Sequence, residues 1–149
     1  HIPYAWLSVT IESDDPEVYR RLQGGPTPAA RFALVRAAAR AGVHAQVAVS
    51  PCMPYTAGFA EALATSEARR LIVDTFVAGD GTGGARTGQS PYAGAVPAAA
   101  WRDETPARAL YNQLVALGLE VGWSTAGFCG IAPRACHPGG NPGLQDAVG

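Results

Sequence analysis

Apolar and polar positions alternate with a period of two in short segments of this chain, and between those segments apolar residues recur at helical spacing. In Tyr4–Ser13 (YAWLSVTIES), Leu7, Val9 and Ile11 fall on one face of a strand and Ser8, Thr10 and Glu12 on the other. Val43–Pro54 (VHAQVAVSPCMP) sets Ala45, Val47 and Val49 against Gln46, Ala48 and Ser50. Pro51 and Pro54 lack the amide hydrogens that a ladder needs, so this strand is predicted to stop at Ser50 in a stiff turn. Arg70–Val77 (RLIVDTFV) reads as a third strand and Leu119–Ser124 (LEVGWS) as a fourth.

Helix signals separate these strands. Asp15 followed by Pro16 caps and starts a first helix, which Gly24-Gly25 ends. Thr27-Pro28 starts a second, running to Gly42 with Phe32, Val35 and Ala39 on one stripe and Arg31, Arg36 and Arg40 mostly off it. A third helix is expected around Phe59–Ala68, and a last one begins at Thr105-Pro106, carries Leu110, Leu114 and Leu117 on or near its buried side and stops at Gly118. Residues 78–100 lapse into a Gly-rich stretch of the length that belongs to functional or disordered loops. The tail after Cys129 is rich in Gly and Pro and is expected to be irregular, giving one domain over 1–134 and a tail over 135–149.

Strands alternating with helices imply a parallel sheet with right-handed crossovers. The second face of each strand bears on how that sheet closes. An open sheet covered on both sides is apolar on both, whereas here one face carries Ser8, Thr10, Glu12, Gln46, Ser50, Asp74, Glu120 and Ser124. The expected fold is therefore α/β, a partial parallel (β/α) barrel of about four strands with outer helices and a polar interior. Four strands cannot close a barrel, so their free edges call for a missing half or a second copy of the chain.

Composition narrows the chemistry. With 149 residues and a net charge of −1 the chain has no global field to recruit nucleic acid or an anionic membrane. Its eleven basic residues are all arginine, which excludes a Walker-type phosphate loop and Schiff-base catalysis, since both need a lysine. No apolar run approaches the ~20 residues of a membrane span and no basic-then-apolar leader is present, so the chain is expected to be soluble and cytoplasmic with no membrane partner. It opens on His1 and is read as a processed product or a fragment. Three cysteines at scattered positions suggest no disulfide framework.

The segments LSVTIES, PTPAARFALVRAAARAGVHAQVAVSPCMPY and RRLIVDTFVAGDGTGGART together resemble the later part of radical S-adenosylmethionine proteins of the spore photoproduct lyase and DNA-repair-photolyase-like group. The resemblance spans roughly Tyr4–Arg134, and its most specific pieces are AVSPCMP and DTFVAGDGTGG. It implies the second half of a radical S-adenosylmethionine barrel, with the cofactor and a [4Fe–4S] cluster at the C-terminal mouth of the strands. The family holds that cluster on a C-x3-C-x2-C loop, because three thiolates leave one iron free to chelate the cofactor. Cys52, Cys129 and Cys136 lack that spacing, so the cluster ligands are absent from this chain and are expected on a missing N-terminal half.

In parallel barrels chemistry lies at the C-terminal rim, where Thr10 and Glu12, Ser50 and Pro51, and Asp74 and Thr75 end the first three strands. The resemblance makes Thr10, Glu12, Ser50, Pro51 and Asp74 candidate S-adenosylmethionine contacts, with Glu12 equally readable as a solvated carboxylate and Asp74 as a structural hydrogen-bond acceptor. It places Gly79–Gly84 over the substrate side, with Asp80 and Arg86 as candidate substrate contacts. Nucleic acid as substrate follows by analogy alone.

Three other readings stay open from the residues. Cys129, Cys136 and His137, with Cys52, could supply metal ligands, although their spacing departs from compact zinc knuckles. His1 with His44 or His137 resembles the copper site of secreted monooxygenases, but those are β-sandwiches and the alternation of helix and strand opposes them. A non-catalytic half-barrel that dimerises through its strand edges, using Trp6, Phe76 and Trp123, is the third.

Overall fold

All four alternating segments meet helices on their aliphatic side, and each pairs with its neighbour in a single sheet. The computed structural model describes residues 6–22, 25–79, 84–90, 94, 97 and 102–129. Strands β1 (Trp6–Thr10), β2 (His44–Val49), β3 (Arg70–Val73) and β4 (Val121–Trp123) form one parallel sheet in the order β1-β2-β3-β4. Each strand lies beside its predecessor in the chain, without the reversal of order that marks a doubly wound sheet. Among the described residues the sheet is open, with β1 and β4 outermost. The connections carry helices α1 (Pro16–Arg21), α2 (Pro28–Arg40), α3 (Phe59–Ala64), α4 (Phe76–Gly79) and α5 (Thr105–Ala116), and α6 (Ser124–Cys129) follows β4 directly.

Helix starts follow their capping chemistry. Asp15 Oδ1 accepts from the Glu17 amide at 2.8 Å, Thr27 Oγ1 accepts from the Ala30 amide at 3.2 Å, and a proline stands at the start of each helix. At α5 the N-cap is Glu104, whose side chain makes no capping bond; Asp103 Oδ1 accepts from the Thr105 amide at 2.9 Å, and Thr105 is helical and does not cap.

Sheet register turns the alternation into layers. Odd-numbered Val9, Ile11, Ala45, Val47, Val49, Leu71 and Val73 pack against Phe32, Val35 and Ala38 of α2, Phe59 and Leu63 of α3, and Ala107, Leu110 and Leu114 of α5. The even-numbered face stacks Ser8, Gln46 and Arg70 in one layer, Thr10, Ala48, Ile72 and Gly122 in the next, and Glu12, Ser50 and Asp74 at the C-terminal rim. Its middle layer is apolar at Ala48, as the alternation of β2 predicts, and also at Ile72, which the expected polar interior did not include. A smaller apolar cluster of Val18, Met53 and Phe76, with Leu22 against it, joins α1, the turn after β2 and α4.

Four element boundaries differ from the sequence reading. Strand β1 is shorter than the segment Tyr4–Ser13. Strand β3 ends at Val73, because Asp74 turns its carboxylate onto the Thr75 amide and a helical turn begins at Phe76. Helix α3 stops at Ala64, short of Ala68, because the Thr65 and Ser66 hydroxyls bond back to the carbonyls of Glu61 and Leu63 and Glu67 takes a φ of 63°. The fourth strand covers only Val121–Trp123, and α6 starts at once with Ser124 at φ 48°.

That abrupt strand-to-helix turn depends on two glycines. A Cβ on Gly122 would stand 2.6 Å from Gly127 Cα, and one on Gly127 would stand 2.8 Å from the Gly122 carbonyl carbon. Backbone meets backbone there, so no side chain can move aside. Gly122→Ala is expected to force α6 off β4 and to lower stability by about 3 kcal/mol. Gly42→Ala, with φ +77° and nothing within 4 Å of the added Cβ, should cost only about 1 kcal/mol. Denaturant titration of both variants checks the contrast, and equal losses would show that α6 packs loosely.

Candidate functional site at the C-terminal rim

The chain leaves β1, β2 and β3 through segments that continue the ladder by backbone bonds. The Ile11 amide donates to Ala48 O at 2.9 Å and the Asp74 amide to Val49 O at 2.9 Å; the Cys52 and Met53 amides donate to Asp74 O at 2.8 Å and Glu12 O at 3.0 Å. The turn after β2 is thus stitched on both sides, and the rim carboxylates Glu12 and Asp74 flank it. Ser13 adds a bond from its Oγ to Pro54 O at 2.6 Å.

Glu12 is buried at 4 % exposure, and a carboxylate there needs a partner. Arg31 supplies it: its Nη1 donates to Glu12 Oε2 at 2.9 Å and to Thr10 O at 2.7 Å, while its Nε donates to Pro26 O at 3.1 Å. Tyr19 Oη donates to the same Glu12 oxygen at 3.1 Å, and its ring lies 5.2 Å from the Arg31 guanidinium carbon. Both outer helices α1 and α2 are therefore tied to the end of β1 through one carboxylate. The helical pattern had set Arg31 aside as off the buried stripe. Its acidic partner nineteen residues earlier has no local signal.

Asp74, exposed by only 5 %, is the second rim carboxylate. Its Oδ2 accepts from Ser50 Oγ at 3.1 Å and its Oδ1 from the Thr75 amide at 2.8 Å. Thr75 Oγ1 in turn donates to Glu104 Oε1 at 2.8 Å, joining the rim to the start of α5. Pro51 follows through a cis peptide with Ser50 and is half-buried in the turn. The structure thus brings Ser50, Pro51 and Asp74 together and sets Thr10 and Glu12 beside them on the same face, with Glu12 directed to Arg31 and Tyr19.

Arg86 is exposed in the Gly84–Ser90 segment, which contains a short 3-10 turn at Thr87–Gln89. Asp80, Cys136, His137 and His1 lie outside the described residues. Among the described residues no group of three or more His, Cys, Asp and Glu could hold a metal ion. Cys52 is partly buried, and desolvation pushes its thiol up to about 12. A shallow groove of about 430 Å³ lies along α5, lined by Glu104, Thr105, Arg108, Ala109 and Asn112, and adjoins the rim only through Glu104. No helix among the described residues is long and apolar enough to cross a membrane.

Removing the Glu12 charge strands Arg31, so Glu12→Gln is expected to cost about 2–3 kcal/mol of stability, tempered by the partial exposure of Arg31. Equilibrium unfolding measures it, and an unchanged midpoint would make the pair incidental. For Cys52 the folded-state value lies above the ordinary 9.0. The unfolded chain therefore loses this proton first, and Cys52 makes stability fall between about pH 9 and about pH 12 while leaving it unaffected below. A Cys52→Ala variant should show a shallower loss over that window. In comparison with known proteins, no family model matches the chain, and neither a curated protein nor a solved structure does.

Proposed function

We propose that this chain is the C-terminal part of a cytoplasmic radical S-adenosylmethionine enzyme related to the photoproduct-lyase group, forming part of its cofactor and substrate walls. The observation that carries the reading is a parallel sheet wound in chain order, with α2, α3 and α5 on its odd-numbered face, α6 over the β3–β4 end of the other, and the rim residues Glu12, Ser50 and Asp74 on that second face. That is the arrangement of a (β/α) barrel segment, with a missing half completing the closure.

The rim residues fit a nucleoside bearing an amino-acid group. Asp74 retains acceptor directions beyond those used by Ser50 and Thr75, suited to ribose hydroxyls or an ammonium, and the Ser50 hydroxyl can donate elsewhere when Asp74 accepts from a ligand. Thr10 offers a further hydroxyl on the same face. Glu12 acts by position, holding α1 and α2 to β1. Cys52, Cys129 and Cys136 lack the C-x3-C-x2-C spacing, so in this reading the cluster is held by another part of the protein. Held by Asp74, Ser50 and Thr10 beside such a cluster, S-adenosylmethionine would supply a 5′-deoxyadenosyl radical, its carbon–sulfur bond cleaved to methionine by one electron from the reduced cluster. Asp80 and Arg86 remain the proposed substrate contacts. Nucleic acid is a substrate by analogy alone, since near-neutral charge gives it no support.

One observation favours a second reading, a non-catalytic module that pairs with another copy through its edges. At outer strand β4 the Arg108 guanidinium carbon lies 3.5 Å from the centre of the Trp123 ring, with Tyr111 packed edge-on at 5.5 Å. Such a stack on a strand that is outermost among the described residues suits an interface. Light scattering over a range of concentrations would reveal the dimer.

Calorimetric titration with S-adenosylmethionine tests the first reading. Binding is expected, with affinity weakened about tenfold or more by Asp74→Asn and Ser50→Ala. Glu12→Gln should alter stability more than affinity. Absence of binding by the folded chain, or indifference to Asp74, overturns the assignment.

A further inference from the structure

Helix α5 opens on two acids and carries a cation one turn later, yet acids and cation do not pair. Asp103 is held by the Thr105 hydroxyl and amide, which keep its carboxyl below the usual carboxylate range. Glu104 Oε1 accepts from Thr75 Oγ1 at 2.8 Å, so this carboxylate is turned toward the rim. Glu104 and Arg108 stand four residues apart, the spacing at which acid and base ordinarily pair on a helix. Arg108 instead lies over Trp123, its guanidinium carbon 3.5 Å from the ring centre, and forms no ion pair among the described residues.

The stack leaves that charge available in one direction. A guanidinium over an indole is covered on one face while its N–H groups radiate in its own plane, so its edge stays open to an acceptor. Asn112 follows one turn later on the same face of α5, and with Ala109 between them the two line the shallow groove of about 430 Å³. Both side chains are exposed, and neither has a hydrogen-bond partner among the described residues. Guanidinium and amide donors beside an open groove match a carboxylate, whose two oxygens accept paired N–H bonds. A phosphate dianion suits the groove less, because Asp103 and Glu104 stand within about one turn of Arg108. Tyr111 packs edge-on against Trp123 at 5.5 Å, so Arg, Trp and Tyr, the residue types that anchor protein interfaces, meet at this one place.

We propose that the α5 groove beside Trp123 is a docking surface for an acidic segment of another protein, with Arg108 and Asn112 holding a carboxylate side chain of that segment. Trp123 keeps the guanidinium in place before the partner arrives, which lowers the entropy lost on binding. Glu104 marks the end of the groove where a second acid on the partner is repelled, so it sets the register of the segment. The surface lies on the helix side of the sheet and does not rest on the S-adenosylmethionine reading.

The test titrates the isotope-labelled 149-residue chain with the peptide acetyl-Gly-Glu-Gly-Glu-Gly-amide, its Gln counterpart and inorganic phosphate, with ionic strength held constant by sodium chloride. The acidic peptide is expected to give saturable shifts of the Arg108 Nε–H, the Asn112 side-chain amide and the Trp123 indole N–H. Arg108→Met keeps an unbranched side chain over Trp123 and should abolish the response, while the rest of the spectrum stays that of the folded chain. Arg108→Lys should raise the half-saturating concentration about tenfold, because an ammonium offers no paired donors, and Glu104→Gln should lower it. The proposal is overturned if the Gln peptide or phosphate gives the same shifts at equal or lower concentration, if nothing saturates, or if the response survives in Arg108→Met. Light scattering that shows dimers lost in Arg108→Met would seat a second copy on this surface and overturn it as well. Titration with S-adenosylmethionine reads the rim, so failure of one leaves the other standing.

Discussion

Every strand of this sheet presents two faces to different surroundings, and helices α2, α3 and α5 cover only one of them. The period-two geometry of a strand then forces a division of labour: Val9, Val47, Val49, Leu71 and Val73 hold the layers together, while Ser8, Gln46, Arg70, Ser50 and Asp74 share the other side. A one-residue slip of register would exchange the two sets and bury polar groups under helices. Burial of the aliphatic face thus fixes the register, and the register fixes which polar groups become neighbours.

Those polar groups fall into two kinds. At the rim, buried carboxylates are paired within the protein: Glu12 with Arg31 and Tyr19, Asp74 with Ser50 and the Thr75 amide. Such pairs tie loops and outer helices to strand ends and hold the turn after β2 in place. Two layers below, Arg70 and Gln46 keep polar atoms without hydrogen bonds. A folded protein tolerates few of these, and here Glu120 offsets the Arg70 charge at 3.5 Å.

Close backbone approach plays a comparable part at the far edge. Gly122 and Gly127 let α6 fold back on β4 and Ile72, covering that end of the even-numbered face, while Ser124 takes a left-handed conformation at the turn. The outer strand so formed carries the Arg108–Trp123 stack on its helix side. Among the described residues β1 and β4 form the two outer edges of the sheet.

Local sequence determined the strand segments, their parallel direction and the helix starts at Asp15 and Thr27, because alternation and capping act within a few residues. It also separated Leu7, Val9 and Ile11 from Ser8, Thr10 and Glu12, since parity along a strand needs no knowledge of its neighbours. Only the tertiary structure decided that Glu12 meets Arg31, that Asp74 meets Ser50 and that Gln46 stands beside Arg70, for these pairings arise from register between strands far apart in the chain. It decided too where β3 stops and that α6 exists, because side-chain bonds to the backbone and a contact between two glycines compete there with the apolar pattern and win.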